Sequence, residues 1–204
     1  EHEYNRQTTY YFRIKKDVFK PSIIKEIAKL GHEIGYHYED LSTAKGNETK
    51  AIQSFEHNLS RFRKLYPVKT IAMHGKPLSR INNQELWINR DYRKYGVSGD
   101  AFLTIDYSDI FYFTDTGRTW ETKKNNLRDE TASRTHPQKI QKTDDLIEFL
   151  QEHPESKMAI VAHPERWNEN LIKWFNYYIF DFTVNMIKHM LRIVRNNSKD
   201  ASLF

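Results

Sequence analysis

The sequence contains no cysteine, which excludes disulfides and thiolate metal ligands and leaves His, Asp and Glu as the strong ligands available. A dense basic block is also missing. The formal charge is +5 and the pI about 9.2, but the 32 Lys and Arg are interspersed with 27 Asp and Glu, so nucleic acid is not an expected partner. No apolar run of spanning length is present. Residues 174–194 are rich in aromatic and aliphatic side chains but include Asp181, Asn185, Lys188, His189 and Arg192, so no membrane span is expected. A secretory h-region is lacking too, since residues 1–5 are polar and 8–14 are too short and interrupted; a cytoplasmic location is the expectation. The first residue is not Met, and the chain is expected to be a fragment or a processed form. There is no internal repeat or low-complexity segment.

What is present suits a globular protein. At 204 residues the chain is long enough for one domain, 1–204, with a real core. Hydrophobic residues make up 38%, but the 14% that are aromatic supply large buried areas at few positions.

Apolar runs and helical periods alternate along the chain. Residues 8–14 (TTYYFRI) read as a strand. Pro21 then opens a helix with Ile23, Ile24, Ile27 and Leu30 in phase, ended by Gly31. Residues 32–38 read as a second strand, 47–65 as an amphipathic helix with Ala51, Ile52, Phe55, Leu59 and Phe62 on one face, and 69–74 as a third strand. A short helix at 82–88, a short strand at 96–99 and a strand at 110–114 follow. The polar stretch 118–142 reads as a loop or lid. Thr143 is expected to cap a helix to Leu150, 158–162 is the last strand, and from Glu169 the chain is mostly helical. Such alternation predicts an α/β fold with a parallel sheet, open or closed into a barrel.

In parallel α/β folds, functional groups collect beyond the carboxyl ends of the strands. The second strand runs into His37, Glu39 and Asp40, the third into His74, another into Asp115-Thr116-Gly117-Arg118, and the last into His163-Pro164-Glu165-Arg166-Trp167. Three imidazoles and a carboxylate on one rim can bind a divalent cation and leave an acid or base free, which is a hydrolase constellation. His32, His57, His136, His153 and His189 lack that position and read as hydrogen-bonded structural residues. Asp115 also reads as a turn residue before Gly117. Arg118, Arg166, Trp120 and Trp167 suit surface anchoring or sugar binding, because indole faces stack on pyranose rings and Arg binds acidic groups.

The segment GHEIGYH at 31–37 resembles the GHEIGNH motif of polysaccharide deacetylases, the carbohydrate esterase family 4 group that removes acetyl from N-acetylated sugars. TYYFR at 9–13 is similar to that family's second strand, and IVAH at 160–163 to its terminal strand. GHEIGYHYEDL, MHGKPLS, TDTGRTW and HPERW together resemble a branch of the superfamily associated with surface-polysaccharide genes. The resemblance implies a distorted (β/α) barrel of parallel strands and a divalent metal, with zinc the expected ion. It places His37 as a metal ligand and His163 as the late catalytic His. Leu41 stands where the family's second metal His falls, so Glu39, Asp40 or His74 has to replace it. The paired aspartates belong to a strand before 8–14, which is absent from this sequence.

The expected site is therefore His163 and Asp115 as catalytic residues, His37, His74 and Glu39 as metal ligands, and Arg118, Trp120, Arg166 and Trp167 against a carbohydrate. Four strand-end groups, His37, His74, Asp115 and His163, are expected in one cleft. Two other readings compete. One is a non-catalytic carbohydrate-binding or assembly protein. The other is a histidinol-phosphatase-like phosphoesterase, since AHPERW at 162–167 is similar to its AHPERY segment, although the His-x-His of those enzymes is missing.

Overall fold

The computed structural model describes residues 5–75, 79–120, 132–135, 139–167 and 169–200, with backbone alone at 165, 188–189 and 191–200. The chain divides into two compact units, Glu1–Ile105 and Asp106–Phe204.

Unit 1 is a four-stranded parallel sheet in the order β1 (Thr9–Phe12), β2 (Glu33–Tyr38), β3 (Thr70–Met73) and β4 (Gly99–Asp100). Helix α1 (Pro21–Lys29) joins β1 to β2, and the short α2 (Asp40–Thr43) and long α3 (Glu48–Arg63) join β2 to β3. Pro21 at the start of α1 has no N–H to leave unpaired, and Gly31 reverses the chain at φ +87°, a backbone state that disfavours a Cβ. Asn47 caps α3 by accepting a hydrogen bond from the Lys50 amide.

The period-2 alternation of β2 sends Ile34, Tyr36 and Tyr38 into the core, against Ile24 of α1 and Phe55, Leu59 and Phe62 of α3. The Tyr36 ring lies tilted against those of Phe55 and Phe62, and Trp87, from a 3₁₀ turn at Asn83–Trp87, closes on Phe55 and Tyr38. The opposite set, Glu33, Gly35 and His37, lies on the other face. The Tyr11 ring lies directly over Gly35, where an added Cβ would come within 2.3 Å of it.

The GHE triplet serves this sheet. His32 is buried, and its Nδ1 accepts from the Thr8 amide. Glu33 accepts from Thr9 Oγ1 of β1 at 2.7 Å and from Thr70 Oγ1 of β3 at 2.6 Å, tying three strands together.

Unit 2 pairs β5 (Phe111–Thr114) with β6 (Met158–Val161) in parallel. Helix α4 (Thr143–Glu152) lies between them in sequence, and α5 (Leu171–Asp200) follows. Phe111, Phe113, Ile140, Leu146 and Phe149 form its core. Asp145, and not Thr143, satisfies the start of α4: its Oδ2 accepts from the Gln141 and Lys142 amides. Thr143 is the first helical residue and instead receives the Trp120 indole N–H.

The expected lid at 118–142 falls partly outside the described residues, at 121–131 and 136–138. Several of its described residues, at 132, 134, 135, 139, 141 and 142, are exposed, while others reach the unit 2 core. Ile140 is buried, Trp120 rests against the same cluster, and Arg134 bridges to Phe111 and stacks on its ring. Among the described residues no helix is long and apolar enough to cross a membrane.

Candidate functional site

The four strand-end groups come together two by two. In unit 1, His37 and His74 meet edge to face with ring centroids 5.1 Å apart. Parallel pairing sets His37 beside Ala72, whose carbonyl oxygen lies 3.0 Å from His37 Nδ1. The backbone of His74 is fixed on both sides, its amide donating to Tyr38 O and its carbonyl accepting from Asn83 Nδ2. Buried Asn83 also accepts from the Ser42 amide, so one side chain couples α2 to the end of β3.

Glu39, the third expected ligand, is already engaged. Both its oxygens accept from Arg13 Nη2, at 2.8 and 3.0 Å, Lys15 Nζ lies 3.1 Å from Oε1, and His74 Nδ1 lies 3.5 Å from Oε2. Burial works to raise the Glu39 carboxyl, but the hydrogen bonds and charges of Arg13, Lys15 and His74 outweigh it and hold the group below the usual range. A divalent ion placed here would compete with two resident cations for the same oxygens. His37, His74 and Glu39 in this arrangement therefore do not fit the implied zinc site, and among the described residues no group of three or more His, Asp or Glu side chains comes together to hold a metal.

Asp40 is a structural group as well. Its carboxylate accepts from Tyr36 Oη, Ser54 Oγ and Asn58 Nδ2, at 2.6, 2.5 and 2.9 Å, locking α3 to β2. Burial raises its pKa, with those hydrogen bonds offsetting part of the shift.

In unit 2 the parallel pairing of β5 and β6 brings Asp115 and His163 side by side, each just past its strand. Asp115 Oδ1 lies 2.5 Å from His163 Nδ1, and Oδ2 accepts from the His163 backbone amide at 2.9 Å. Arg166 Nη1 donates to the same carboxylate at 2.6 Å and to the Asp115 carbonyl at 3.0 Å. Burial pushes the Asp115 carboxyl up, but His163 and Arg166 more than reverse this, and the group is held below its ordinary range. An ionised carboxylate carries no proton, so the proton between Asp115 and His163 belongs to Nδ1. Arg166 Nη1 also lies 3.0 Å from Nδ1, but a protonated Nδ1 cannot accept, and the guanidinium bonds to the carboxylate instead.

Asp181, on α5, was noted in the sequence only as a charge that breaks an apolar run. It is part of this site, accepting from Arg118 Nε at 2.9 Å and lying 3.4 Å from Arg166 Nε. Gly117 and Arg118 both take left-handed backbone, at φ +83° and +61°. This turns Arg118 back onto α5, where its guanidinium stacks over Trp174 and Tyr178. Arg118 and Arg166 thus serve the internal network. Trp120 packs on the unit 2 core, whereas Trp167 is 66% exposed. The signal for Asp181 was present as a single acid in an aromatic stretch, but its partners are distant in sequence and nothing local selects them.

The chain matches no protein-family model, no curated protein and no solved structure.

Proposed function

We propose that this chain is a hydrolase of the polysaccharide deacetylase type, cleaving acetyl groups from N-acetylated sugars, with His163 as the proton donor to the leaving amine. The Asp115–His163 pair carries the reading. The ionised carboxylate at Nδ1 holds the imidazole ring with its proton on that nitrogen, which leaves Nε2 as the atom that exchanges a proton with substrate. In the cleavage, water adds to the acetamide carbonyl and gives up one proton to Nε2, the C–N bond breaks, and Nε2 returns that proton to the nitrogen, leaving the free amine and acetic acid. Asp115 is a positioning residue for that transfer, and Arg166 holds Asp115. The GHEIGYH segment and the strand-end placement of His163 support the same assignment, which carries with it the distorted (β/α) barrel as architecture. No step is routed through zinc, because Glu39 is held by Arg13 and Lys15.

The test is acetate release from N-acetylated oligosaccharides, with zinc supplied and with it chelated. His163→Ala is expected to lower the rate by about 10²–10⁴-fold, the usual share of one general acid. Undiminished activity in that variant, or no acetate from any such sugar, sinks the proposal. One observation favours the runner-up, a non-catalytic carbohydrate-binding protein: the polar groups of the site are largely satisfied by one another while the Trp167 indole is exposed for stacking on a sugar. In that case Trp167→Ala abolishes sugar binding and no acetate appears.

A further inference from the structure

In unit 2 a cation stands beside the imidazole that has to become one. Arg166 Nη1 lies 3.0 Å from His163 Nδ1, so a second proton on the ring sets an imidazolium against a guanidinium, and like charges so close disfavour the protonated form. Arg118 adds a second guanidinium behind the first. Asp181 Oδ2 accepts from Arg118 Nε at 2.9 Å and lies 3.4 Å from Arg166 Nε.

Two carboxylates answer these two cations. Asp115 takes the Nη1 end of Arg166 at 2.6 Å, and Asp181 takes its Nε end. The charged groups described in this network are therefore Asp115 and Arg118 from the turn after β5, Arg166 from the 3₁₀ turn Pro164–Arg166, and Asp181 from α5, and their formal charges cancel. Burial makes that balance count. Their side chains are only 12–20% exposed, so salt and water screen them much less than surface charges. Arg118 cannot withdraw to relieve the repulsion, because its left-handed backbone and the rings of Trp174 and Tyr178, each 5.4 Å from the guanidinium, hold it over α5. Loss of the Asp181 charge alone leaves one uncompensated positive charge in the network.

We propose that Asp181 is a positioning residue of the proton transfer: acting through Arg166, it offsets the guanidinium charge so that His163 can take up its second proton. The inference rests on the reading of His163 as the proton carrier in acetamide cleavage.

The test follows the ring signals of His163 by NMR titration of the full chain, beside acetate release from N-acetylated oligosaccharides. In Asp181→Asn, which keeps the shape and loses the charge, the imidazole should give up its second proton at a pH about half a unit or more below that of the parent, and kcat should fall about threefold or more with KM little changed. Asp181→Glu should recover most of both. Arg118→Met, which removes a cation, should move the titration the opposite way. Asn185→Ala deletes the hydrogen bond from α5 to the Gly117 carbonyl without altering any charge, and should titrate as the parent does. A titration unmoved or raised in Asp181→Asn overturns the proposal even if acetate is still released, and so does an equal shift in Asn185→Ala, which assigns the effect to the seating of the helix. If no sugar yields acetate the deacetylase reading falls, and the titration alone then decides whether Asp181 governs the charge on His163.

Discussion

At Asp115 one carboxylate serves an imidazole, a backbone amide and a guanidinium. Its folded-state pKa is depressed, so its contribution to stability is present above the unfolded value of about 3.9 and is lost as pH falls through the lower folded value. Asp115→Asn should therefore destabilise the protein at neutral pH by roughly 1–3 kcal/mol, less than for a fully buried pair because His163 and Arg166 keep some solvent contact. In urea titrations the gap between variant and parent should narrow as pH falls through the lowered folded value, where the parent carboxylate takes up its proton; a gap that persists in acid means the contribution is not ionic. Asp40 behaves in the opposite sense. Its raised pKa makes burying its charge a cost that grows as pH rises through the folded value, yet Asp40→Ala should still destabilise, by roughly 1–3 kcal/mol for each donor left unpaired among Tyr36, Ser54 and Asn58.

Among the elements, β2 was the most legible. Its alternation, the Gly31 stop before it and the strong period of α3 after it are local patterns, and the strand and both helices lie within a few residues of where periodicity sets them. Gly35 looked like one more glycine of a motif. Its function comes from pairing, since parallel register with β1 brings the Tyr11 ring onto it. Gly35→Ala should destabilise by about 1–3 kcal/mol, because Tyr11 must move and Thr70 O already limits the space. Thermal unfolding checks this, and an unchanged midpoint removes the close-approach role. The start of α4 was misassigned because Thr143 and Asp145 are both good capping residues, and the choice depended on where the preceding backbone amides point.

For the molecule as a whole, the two units differ in how their strands are protected. In unit 1, β2 and β3 are each flanked on both sides and covered by Phe55, Leu59 and Phe62. In unit 2, β5 and β6 form a two-stranded sheet over a smaller cluster. Native-state hydrogen exchange should accordingly find the slowest amides in β2, β3 and α3, with those of β5 and β6 exchanging sooner. The reverse order would mean that the stability of unit 2 comes from more than its own core.

The sequence by itself determined the succession of strands and helices, the parallel α/β class and the strand-end position of His37, His74, Asp115 and His163, because hydrophobic period, Gly and Pro act over a few residues. Only the tertiary structure decided how the polar groups are used. Arg13 and Lys15 reach Glu39 from the segment just after β1, and Asp181 reaches Arg118 and Arg166 from a helix that begins ten residues beyond the last strand. A charge becomes a ligand, a catalyst or a tether according to which opposite charge the folded chain brings within hydrogen-bonding distance. Strand register and backbone turns set that distance, and local periodicity does not encode it.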